Sequence, residues 1–283
     1  MTDWRIREAR PEDLPALREI VRNGFGDSAE TADLYLRDEE KVGIRTLAAE
    51  KDGRVVSTIS LLPGITLRSG RGETASGVYL YALSTLPEAR GQGIGMALYR
   101  EAHRIGREMA DVVCAAVMED GMKKAYDRHV PLFLLGRTRE AVFTRAEIGT
   151  DEAVSLNRVS PEEYARAREA FLQGRAHASY SPALWRLAGR FGTVFLRGKG
   201  VLAMAEIRDG QCMAGEMLTD GTYAGAAGAL AAACPAETYQ IRTPLDLAAE
   251  GMAREGTIRE YALRGADGAF PAGEDCWYPL IMD

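Results

Sequence analysis

The residues best suited to chemistry form a glycine-rich turn at the start of a helix. In chain order the turn consists of Arg90, Gly91, Gln92, Gly93, Ile94 and Gly95. Backbone N–H groups in the first turn of a helix have no partner within it, and they bind anions such as phosphate. Glycines let a phosphate approach the backbone because they carry no Cβ. The turn therefore predicts a phosphate site, and Arg90 adds positive charge at its rim.

Two common nucleotide-binding patterns do not match this turn. The dinucleotide pattern G-x-G-x-x-G needs a third glycine where the chain has Met96. The P-loop needs G-x-x-x-x-G-K-[ST], but the Gly198-Lys199 pair is followed by Gly200 and lacks the hydroxyl residue. Both patterns are excluded, and a turn of the form R-x-x-G-x-G remains.

Hydrophobic periodicity predicts the elements that position the turn. A helix over residues 11–24 comes first, and strands over 46–50 and 55–62 are joined at Asp52-Gly53, a pair typical of two-residue hairpins. A buried strand over 78–85 precedes the turn. An amphipathic helix from Ile94 to Met109 and a strand over 111–118 follow it. The turn therefore connects a buried strand to a helix.

This arrangement resembles the GNAT acyltransferase superfamily, whose pyrophosphate loop has the form R/Q-x-x-G-x-G/A. Arg90, Gly93 and Gly95 match that loop, and Pro87 precedes the arginine by three residues, as is frequent in the family. The order of elements over residues 5–148 also fits the family's β-α-α-β-β-β-α-β-α-β-β plan. Within the superfamily the chain is most similar to the tandem-domain, enhanced-intracellular-survival type, on residues 10–14, 79–83, 256–259 and 280–283.

The resemblance implies a fold class and a co-substrate. The fold is α/β, with two GNAT-like units, each a mixed, mostly antiparallel sheet flanked by helices, and with the second unit degenerate. The co-substrate is acetyl-CoA, whose pyrophosphate the amides of the glycine-rich turn hold. Its pantetheine arm lies along the preceding strand like an added strand, on backbone groups of Leu83, Ser84 and Thr85. No metal is implied.

The resemblance also implies a general acid. Family members often carry a tyrosine in the pattern N-x-x-A-x-x-x-Y-x-x-x-G-F, and Tyr126 occupies the tyrosine position here. Glu119, Met122 and the Val130-Pro131 pair depart from that pattern. A tyrosine with a pKa of about 10 stays protonated at neutral pH, so it can protonate the departing thiolate.

The general base remains open at this point. His129 lies three residues beyond Tyr126, on the same face of a helix, and an imidazole pKa near 6.5 suits a base. Glu119, the terminal carboxylate of Asp283 and a water molecule are the other candidates.

Length predicts two domains in the 283-residue chain, a catalytic domain at 1–150 and a degenerate GNAT-like domain at 151–283. Residues 205–210 (AEIRDG) resemble residues 49–53 (AEKDG), which indicates a diverged repeat. The second half contains no R/Q-x-x-G-x-G/A turn, so we expect it to bind no coenzyme.

Composition excludes several classes of protein. The net charge of −6 offers no basic surface for nucleic acid. The apolar run over 223–234 is too short for a membrane span and predicts a buried helix. Four scattered cysteines form no C-x-x-C pair, and the first ten residues lack a signal-peptide core. These features predict a cytoplasmic protein, while assembly into a homo-oligomer stays open.

The function expected from these features is acetyl transfer from acetyl-CoA to the primary amine of a cationic small molecule. An alternative acceptor is a protein N-terminus or lysine. An alternative of a different class is a non-catalytic acyl-CoA sensor, in which the second unit is an interaction module.

Overall fold

The chain forms two compact units. The computed structural model describes residues 3–116, 128–130, 133–148, 154–245, 257–266, 270 and 276–279. The first unit comprises Met1–Leu67, Glu73–Leu135 and Arg264–Gly273; the second comprises Arg68–Gly72, Gly136–Leu263 and Glu274–Asp283. This division departs from the expected 1–150 and 151–283, because each unit draws on more than one stretch of the chain.

The first unit holds the elements predicted around the glycine-rich turn. They are β1 (Trp4–Glu8), α1 (Leu14–Phe25), α2 (Ala29–Leu36), β2 (Arg45–Lys51), β3 (Arg54–Arg68), β4 (Thr74–Thr85), α3 (Ile94–Met109) and β5 (Val112–Ala116). The hairpin between β2 and β3 has positive φ at Asp52 and Gly53, as the Asp-Gly pair predicts.

The remaining described elements lie wholly or mostly in the second unit. They are β6 (Phe133–Thr144), β7 (Asn157–Arg158), α4 (Pro161–Phe171), β8 (His177–Tyr180), α5 (Pro182–Arg190), β9 (Val194–Gly198), β10 (Val201–Arg208), β11 (Gln211–Thr219), α6 (Tyr223–Ala233), β12 (Thr238–Thr243) and β13 (Thr257–Ala266). The end of β13 pairs antiparallel with β5, from Arg264 opposite Ala116 to Ala266 opposite Cys114, and so completes the sheet of the first unit.

The two units repeat one sheet plan. The first has the strand order β1-β2-β3-β4-β5 and the second has β7-β9-β10-β11-β12. In both, the first two pairs are antiparallel and the last pair is parallel. A helix connects the two strands of each parallel pair, α3 in the first unit and α6 in the second. The predicted fold class of two mixed, mostly antiparallel sheets with helices is confirmed.

The sequence echo that indicated the repeat lies at non-equivalent places. Residues 49–53 close the hairpin between β2 and β3, whereas residues 205–210 lead into the hairpin between β10 and β11. By strand order, β10 and β11 correspond to β3 and β4. The structural repeat is therefore present, but the short AEIRDG sequence match does not align equivalent parts of the two units.

Each unit is organised around its connecting helix. The apolar face of α3 (Leu98, Ala102 and Ile105) packs in a core cluster with residues of β2 to β5. Helix α6 is rich in alanine and is buried in a core cluster of the second unit, as its composition predicts. None of the helices in the described ranges combines the length and apolar character that crossing a membrane requires.

A buried ion pair joins α4 to β11 in the second unit. Arg168 and Glu216 are both fully buried, and the Arg168 Nε donates to both Glu216 carboxylate oxygens at 2.9 Å. The same carboxylate accepts from the Tyr164 hydroxyl at 2.7 Å and from the Trp277 indole, while Arg168 also donates to the Ala178 carbonyl. Burial and the nearby Glu216 charge raise the pKa of Tyr164, so its hydroxyl stays a donor.

We expect Arg168→Met to lower the free energy of unfolding by about 3–5 kcal/mol. The variant leaves the Glu216 carboxylate buried with Tyr164 and Trp277 but without its counter-charge. Urea unfolding followed by tryptophan fluorescence measures the change. Arg166→Met, on the exposed side of the same helix, is the control and should stay within about 0.5 kcal/mol of the wild type. Equal stabilities for the two variants would contradict the assignment.

Candidate functional site

The glycine-rich turn presents open backbone at the start of α3. Gly91 and Gly93 have φ of +75° and +77°, in the left-handed region that favours glycine. A Cβ built on either glycine would meet nothing within 4 Å. Gly93 precedes the first residue of α3 and offers no side chain to cap the helix. The space above the turn is therefore free for a ligand.

Most backbone amides of the turn have no described acceptor. Arg90 donates its N–H to the Pro87 carbonyl at 3.2 Å, and Ala97 donates to the Gly93 carbonyl at 3.0 Å. Between these bonds, no group in the described part of the chain accepts from the N–H groups of residues 91–96. The positive end of the 16-residue helix α3 points to the same place. An anion fits this donor set, and the pyrophosphate of an acyl-CoA is one.

The side chains of the turn hold it in shape. Arg90 donates its Nε to the Thr85 carbonyl at 3.0 Å, which ties the turn to the end of β4. Gln92 donates to the Glu88 carbonyl at 3.1 Å and accepts from Lys51 Nζ at 2.7 Å. Sequence reasoning missed this lysine, because no local pattern places the end of β2 beside the turn. Lys51 adds a second cation next to the amides.

Gly95 is needed for a different reason. A Cβ there would lie 3.0 Å from the Thr85 hydroxyl oxygen, so α3 and β4 approach each other closely at this point. Ile94 is 1% exposed and packs against Ala49, Val56 and Ala89. The turn is thus anchored by its neighbours on both sides.

The described pairing of β4 with β5 ends before the turn. Their described parallel pairing runs from Gly77 opposite Val112 to Leu80 opposite Ala115, and β4 then continues to Thr85. Within this extension Ala82 has φ of +55°, a conformation that costs a non-glycine residue about 1–3 kcal/mol. An alanine carries no sequence signal for positive φ, so this feature was not predicted. Strained backbone of this kind is common at functional sites.

The edge of β4 that faces away from β3 carries the backbone groups of Leu83 and Thr85, and among the described residues no strand pairs with it beyond Leu80. The Leu86 N–H bonds to the Val56 carbonyl in β3 at 2.9 Å. Because backbone groups alternate along a strand, Ser84 also faces β3, whereas Leu83 and Thr85 face the side from which β5 has diverged. The Thr85 carbonyl already accepts one hydrogen bond, from the Arg90 side chain. The site roles of residues 83–85 and 90–95 remain predictions.

The side chains of this segment point into the protein. Ser84 is buried and donates its hydroxyl to the Ile20 carbonyl of α1 at 3.1 Å. Ser57 donates to the Ser84 carbonyl at 2.8 Å and lies 2.8 Å from the Thr85 hydroxyl. Leu83 packs against the core cluster around α3. Only backbone groups are therefore left for a ligand at the edge.

The predicted general acid lies outside the described residues. Tyr126 falls there, and so do the candidate bases Glu119 and Asp283. His129 is described, and it is exposed in the turn at residues 128–130. Their catalytic roles stay predictions.

An aromatic group with one carboxylate lies beside the separated part of β4. Tyr81, the residue before Ala82, has ring contacts with Tyr35 of α2 at 5.1 Å and with Tyr79 at 6.2 Å. The Tyr35 hydroxyl lies 3.5 Å from Asp27, in the connection between α1 and α2. Burial raises the pKa of Tyr35, so this phenol stays neutral.

The second unit has the same strand divergence but no comparable turn. Described pairing of β11 with β12 covers Gln211–Ala214 and Thr238–Ile241 in register, and β11 then continues to Thr219. Helix α6 starts directly after Thr222, whose hydroxyl accepts from the Gly225 N–H at 3.1 Å. The helix end is therefore capped by the chain itself rather than open to an anion.

Comparison with known proteins agrees with this geometry. A family model described as an acetyltransferase (GNAT) domain matches residues 5–119. Residues 5–119 therefore match a GNAT-type acetyltransferase domain, and the predicted enzyme class, an acyltransferase, is confirmed. No curated protein matches the chain.

Solved structures extend the likeness to both units. A GCN5-related N-acetyltransferase from Kribbella flavida has a TM-score of 0.67 and 15% identity, over 93% of this chain and 70% of that one. Eis1 from Mycobacterium abscessus has a TM-score of 0.61 and 13% sequence identity, and the match covers 93% of this chain and 72% of that one. A tandem GNAT protein from the clavulanic acid biosynthesis pathway has a TM-score of 0.61 and 13% sequence identity, and the match covers 95% of this chain and 99% of that one. The predicted likeness to tandem, enhanced-intracellular-survival-type proteins is confirmed at the level of fold.

We expect Gly93→Val to weaken acetyl-CoA binding about 10- to 100-fold. A branched side chain would enter the open space above the turn and displace hydrogen bonds to a charged group, each of which contributes about 1.5–3 kcal/mol. Isothermal titration calorimetry measures the affinity. It should also find one acetyl-CoA per wild-type chain, since the start of α6 is capped.

Gly53→Val is the matched control for backbone strain. Gly53 has the same φ of +77° and equally open surroundings, but it lies in the hairpin between β2 and β3. Both variants should lose similar stability, and the control should keep full affinity. Equal affinity in the two folded variants, or two coenzymes per wild-type chain, would contradict the assignment.

Proposed function

We propose that the first unit transfers the acetyl group of acetyl-CoA to the primary amine of a cationic small molecule. One observation carries the proposal: the amides of residues 91–96, which have no described acceptor, adjoin the part of β4 beyond Leu80, where the described pairing with β5 has ended. The Arg90 contact with Thr85 and the tight approach of Gly95 fix these two features against each other. An anion and an extended chain can therefore bind as one molecule.

The chain would hold acetyl-CoA, the acetyl donor, at two places. The amides at the start of α3 hold the pyrophosphate, with Arg90 and Lys51 supplying positive charge nearby. Backbone groups of Leu83 and Thr85 pair with the amides of the pantetheine arm, as an added strand would. The arm then leads toward Ala82 and Tyr81. Acetyl-CoA supplies an activated acyl group at that end.

The acceptor must lose a proton before it can attack. An alkyl ammonium with pKa of about 10.4 is neutral in roughly one molecule in 2,500 at pH 7, a cost of about 4.6 kcal/mol. The Asp27 carboxylate, beside Tyr35 and near Tyr81, attracts a cation to this part of β4. This favours a charged amine over a neutral acceptor. The base that removes the proton is one of the four candidates: His129, Glu119, the terminal carboxylate of Asp283 or a water molecule.

The departing thiolate needs a proton in return. Tyr126 follows β5 in the chain and supplies that proton from its phenol, which stays protonated at neutral pH. Proton removal and proton return are then carried out by different groups. The Tyr126 phenol acts only in the transition state, so its loss should lower turnover without weakening coenzyme binding.

Thiol release from acetyl-CoA across an amine panel tests the proposed reaction. We expect turnover with aminoglycosides and polyamines, rising with pH as the amine loses its proton. The same compounds with acetylated amines should give no turnover. Turnover with peptides alone would shift the acceptor to proteins. Acetyl-CoA binding without turnover on any amine would support the sensor alternative and contradict the proposal.

We expect Tyr126→Phe to lower kcat and kcat/KM together by about 10²- to 10⁴-fold. The variant keeps the ring but removes the proton that a general acid donates. Acetyl-CoA affinity should be unchanged, because the amides of the turn are not altered. Steady-state kinetics with the best amine and calorimetry with acetyl-CoA measure the two effects.

Tyr223→Phe is the matched control. Tyr223 is buried in the second unit, and its hydroxyl has no hydrogen-bond partner among the described residues. That variant should keep wild-type kcat. A near-normal kcat in Tyr126→Phe would exclude the phenol as the acid and leave protonation by His129 or solvent.

A further inference from the structure

The first unit contains an open cavity of about 430 Å³ between β1 and α3. This volume lies in the range of small-molecule sites in proteins. Its described lining consists of residues 4–6 of β1 and Ala97, Arg100, Glu101 and Arg104 of α3. All of them belong to the first unit, and none takes part in the acyl transfer proposed above.

The cavity begins one helical turn beyond the glycine-rich turn. Ala97 lines it and donates its N–H to the Gly93 carbonyl at 3.0 Å. On the side of β1, Trp4 lies opposite Lys51 in the pairing of β1 with β2. The Lys51 Nζ is 2.7 Å from the side-chain oxygen of Gln92, which belongs to the turn. A ligand held by the turn can therefore extend into the cavity.

Arg100 is the lining arginine without a described partner. Its side chain is exposed, and no hydrogen bond or ion pair joins it to another residue in the described part of the chain. The other two lining arginines have carboxylate partners: Arg5 pairs with Glu50 at 2.9 Å, and Arg104 pairs with Glu101 at 2.8 Å. Anion recognition in the cavity therefore falls to Arg100 alone. A guanidinium matches a phosphate in charge and in hydrogen-bond geometry.

Trp4 supplies a flat apolar surface in the same cavity. Its side chain is partly buried and packs against the core cluster that contains Ala89 and Ile94. Among the described residues no other aromatic ring contacts it. A nucleobase can stack on such a ring, because every base has a π-face.

A phosphate joined to a planar base by a short link fits this lining. Acetyl-CoA carries both beyond its pyrophosphate, in the form of adenine and a ribose with a 3′-phosphate. In the proposed function the turn holds the pyrophosphate, and the pantetheine arm leaves it along β4. The nucleotide end is the part of the coenzyme to which no residue has yet been assigned.

We propose that this cavity binds the adenosine 3′-phosphate end of the coenzyme, with the 3′-phosphate on Arg100 and the base on Trp4. The proposal rests on the proposed function, because it requires the pyrophosphate at the glycine-rich turn. It adds a site that recognises the coenzyme at the end remote from the acetyl group.

Calorimetric titration of the full chain with CoA and with dephospho-CoA, which lacks the 3′-phosphate, tests the proposal. The wild type should bind CoA about tenfold more tightly, as expected for a hydrogen bond between charged groups. Arg100→Gln should remove this preference and leave the affinity for dephospho-CoA unchanged. Arg22→Gln should keep the preference. It is the matched control, because Arg22 is also an exposed helix arginine whose side chain has no described partner.

Tryptophan fluorescence provides a second readout. Adenosine 3′,5′-bisphosphate, the nucleotide end by itself, should quench the emission of the wild type, and CoA should displace it. Acetyl-pantetheine, which lacks the nucleotide, should cause no quenching. The quenching should vanish in Trp4→Leu, while Trp185 and Trp277, both buried in the second unit, report that this variant is folded.

The outcomes separate this site from acetyl transfer. Equal affinity of the wild type for CoA and dephospho-CoA, a preference that survives in Arg100→Gln, or quenching that survives in Trp4→Leu would overturn the proposal. In each of these cases the test of acetyl transfer is unaffected, because it measures turnover. Failure to acetylate any amine would contradict the proposed function alone, since the preference for CoA is measured by binding. No binding of CoA at all would overturn both.

Discussion

In each unit the described pairing of a parallel strand pair stops before its inner strand ends, and the candidate site depends on this constraint. In the first unit the described pairing of β4 with β5 ends at Leu80, and in the second that of β11 with β12 ends at Ala214. Each inner strand continues for five further residues with one edge unpaired by its parallel neighbour. Backbone polar groups that leave a sheet need other partners. How each unit meets that need decides what it can bind.

The two units meet this need differently. In the first, the edge of Leu83 and Thr85 stays open beside the amides of the glycine-rich turn, so an extended anionic ligand fits both. In the second, Glu216 occupies the extension of β11 and is covered by Arg168, Tyr164 and Trp277. This extension of β11 therefore carries a buried ion pair.

The start of the connecting helix reinforces that difference. Gly93 precedes α3 with a left-handed backbone and no side chain, whereas Thr222 caps α6 with its own hydroxyl. The same position in the repeated plan is therefore a predicted anion site in one unit and a helix end capped by a threonine in the other. Divergence of the second copy from the first follows from a few such replacements and leaves the strand order unchanged.

Local patterns in the sequence were enough to predict several elements, because each depends on periodicity or on glycine conformations within a short segment. These elements are the glycine-rich turn, the hairpin at Asp52-Gly53, the helices α1 and α3 and the buried helix α6. The division into units was not accessible in this way, since Arg264–Gly273 joins the first unit through pairing with β5 far back in the chain. Lys51 beside Gln92, the positive φ of Ala82 and the Arg168–Glu216 pair were also missed. These features arise from contacts between distant segments, and their residue types carry no local signal. The sequence alone therefore determined the glycine-rich turn and its predicted phosphate site. Tertiary structure decided how far the described pairing of β4 extends beside that turn, because pairing is set by the register between strands rather than by the residues of either strand.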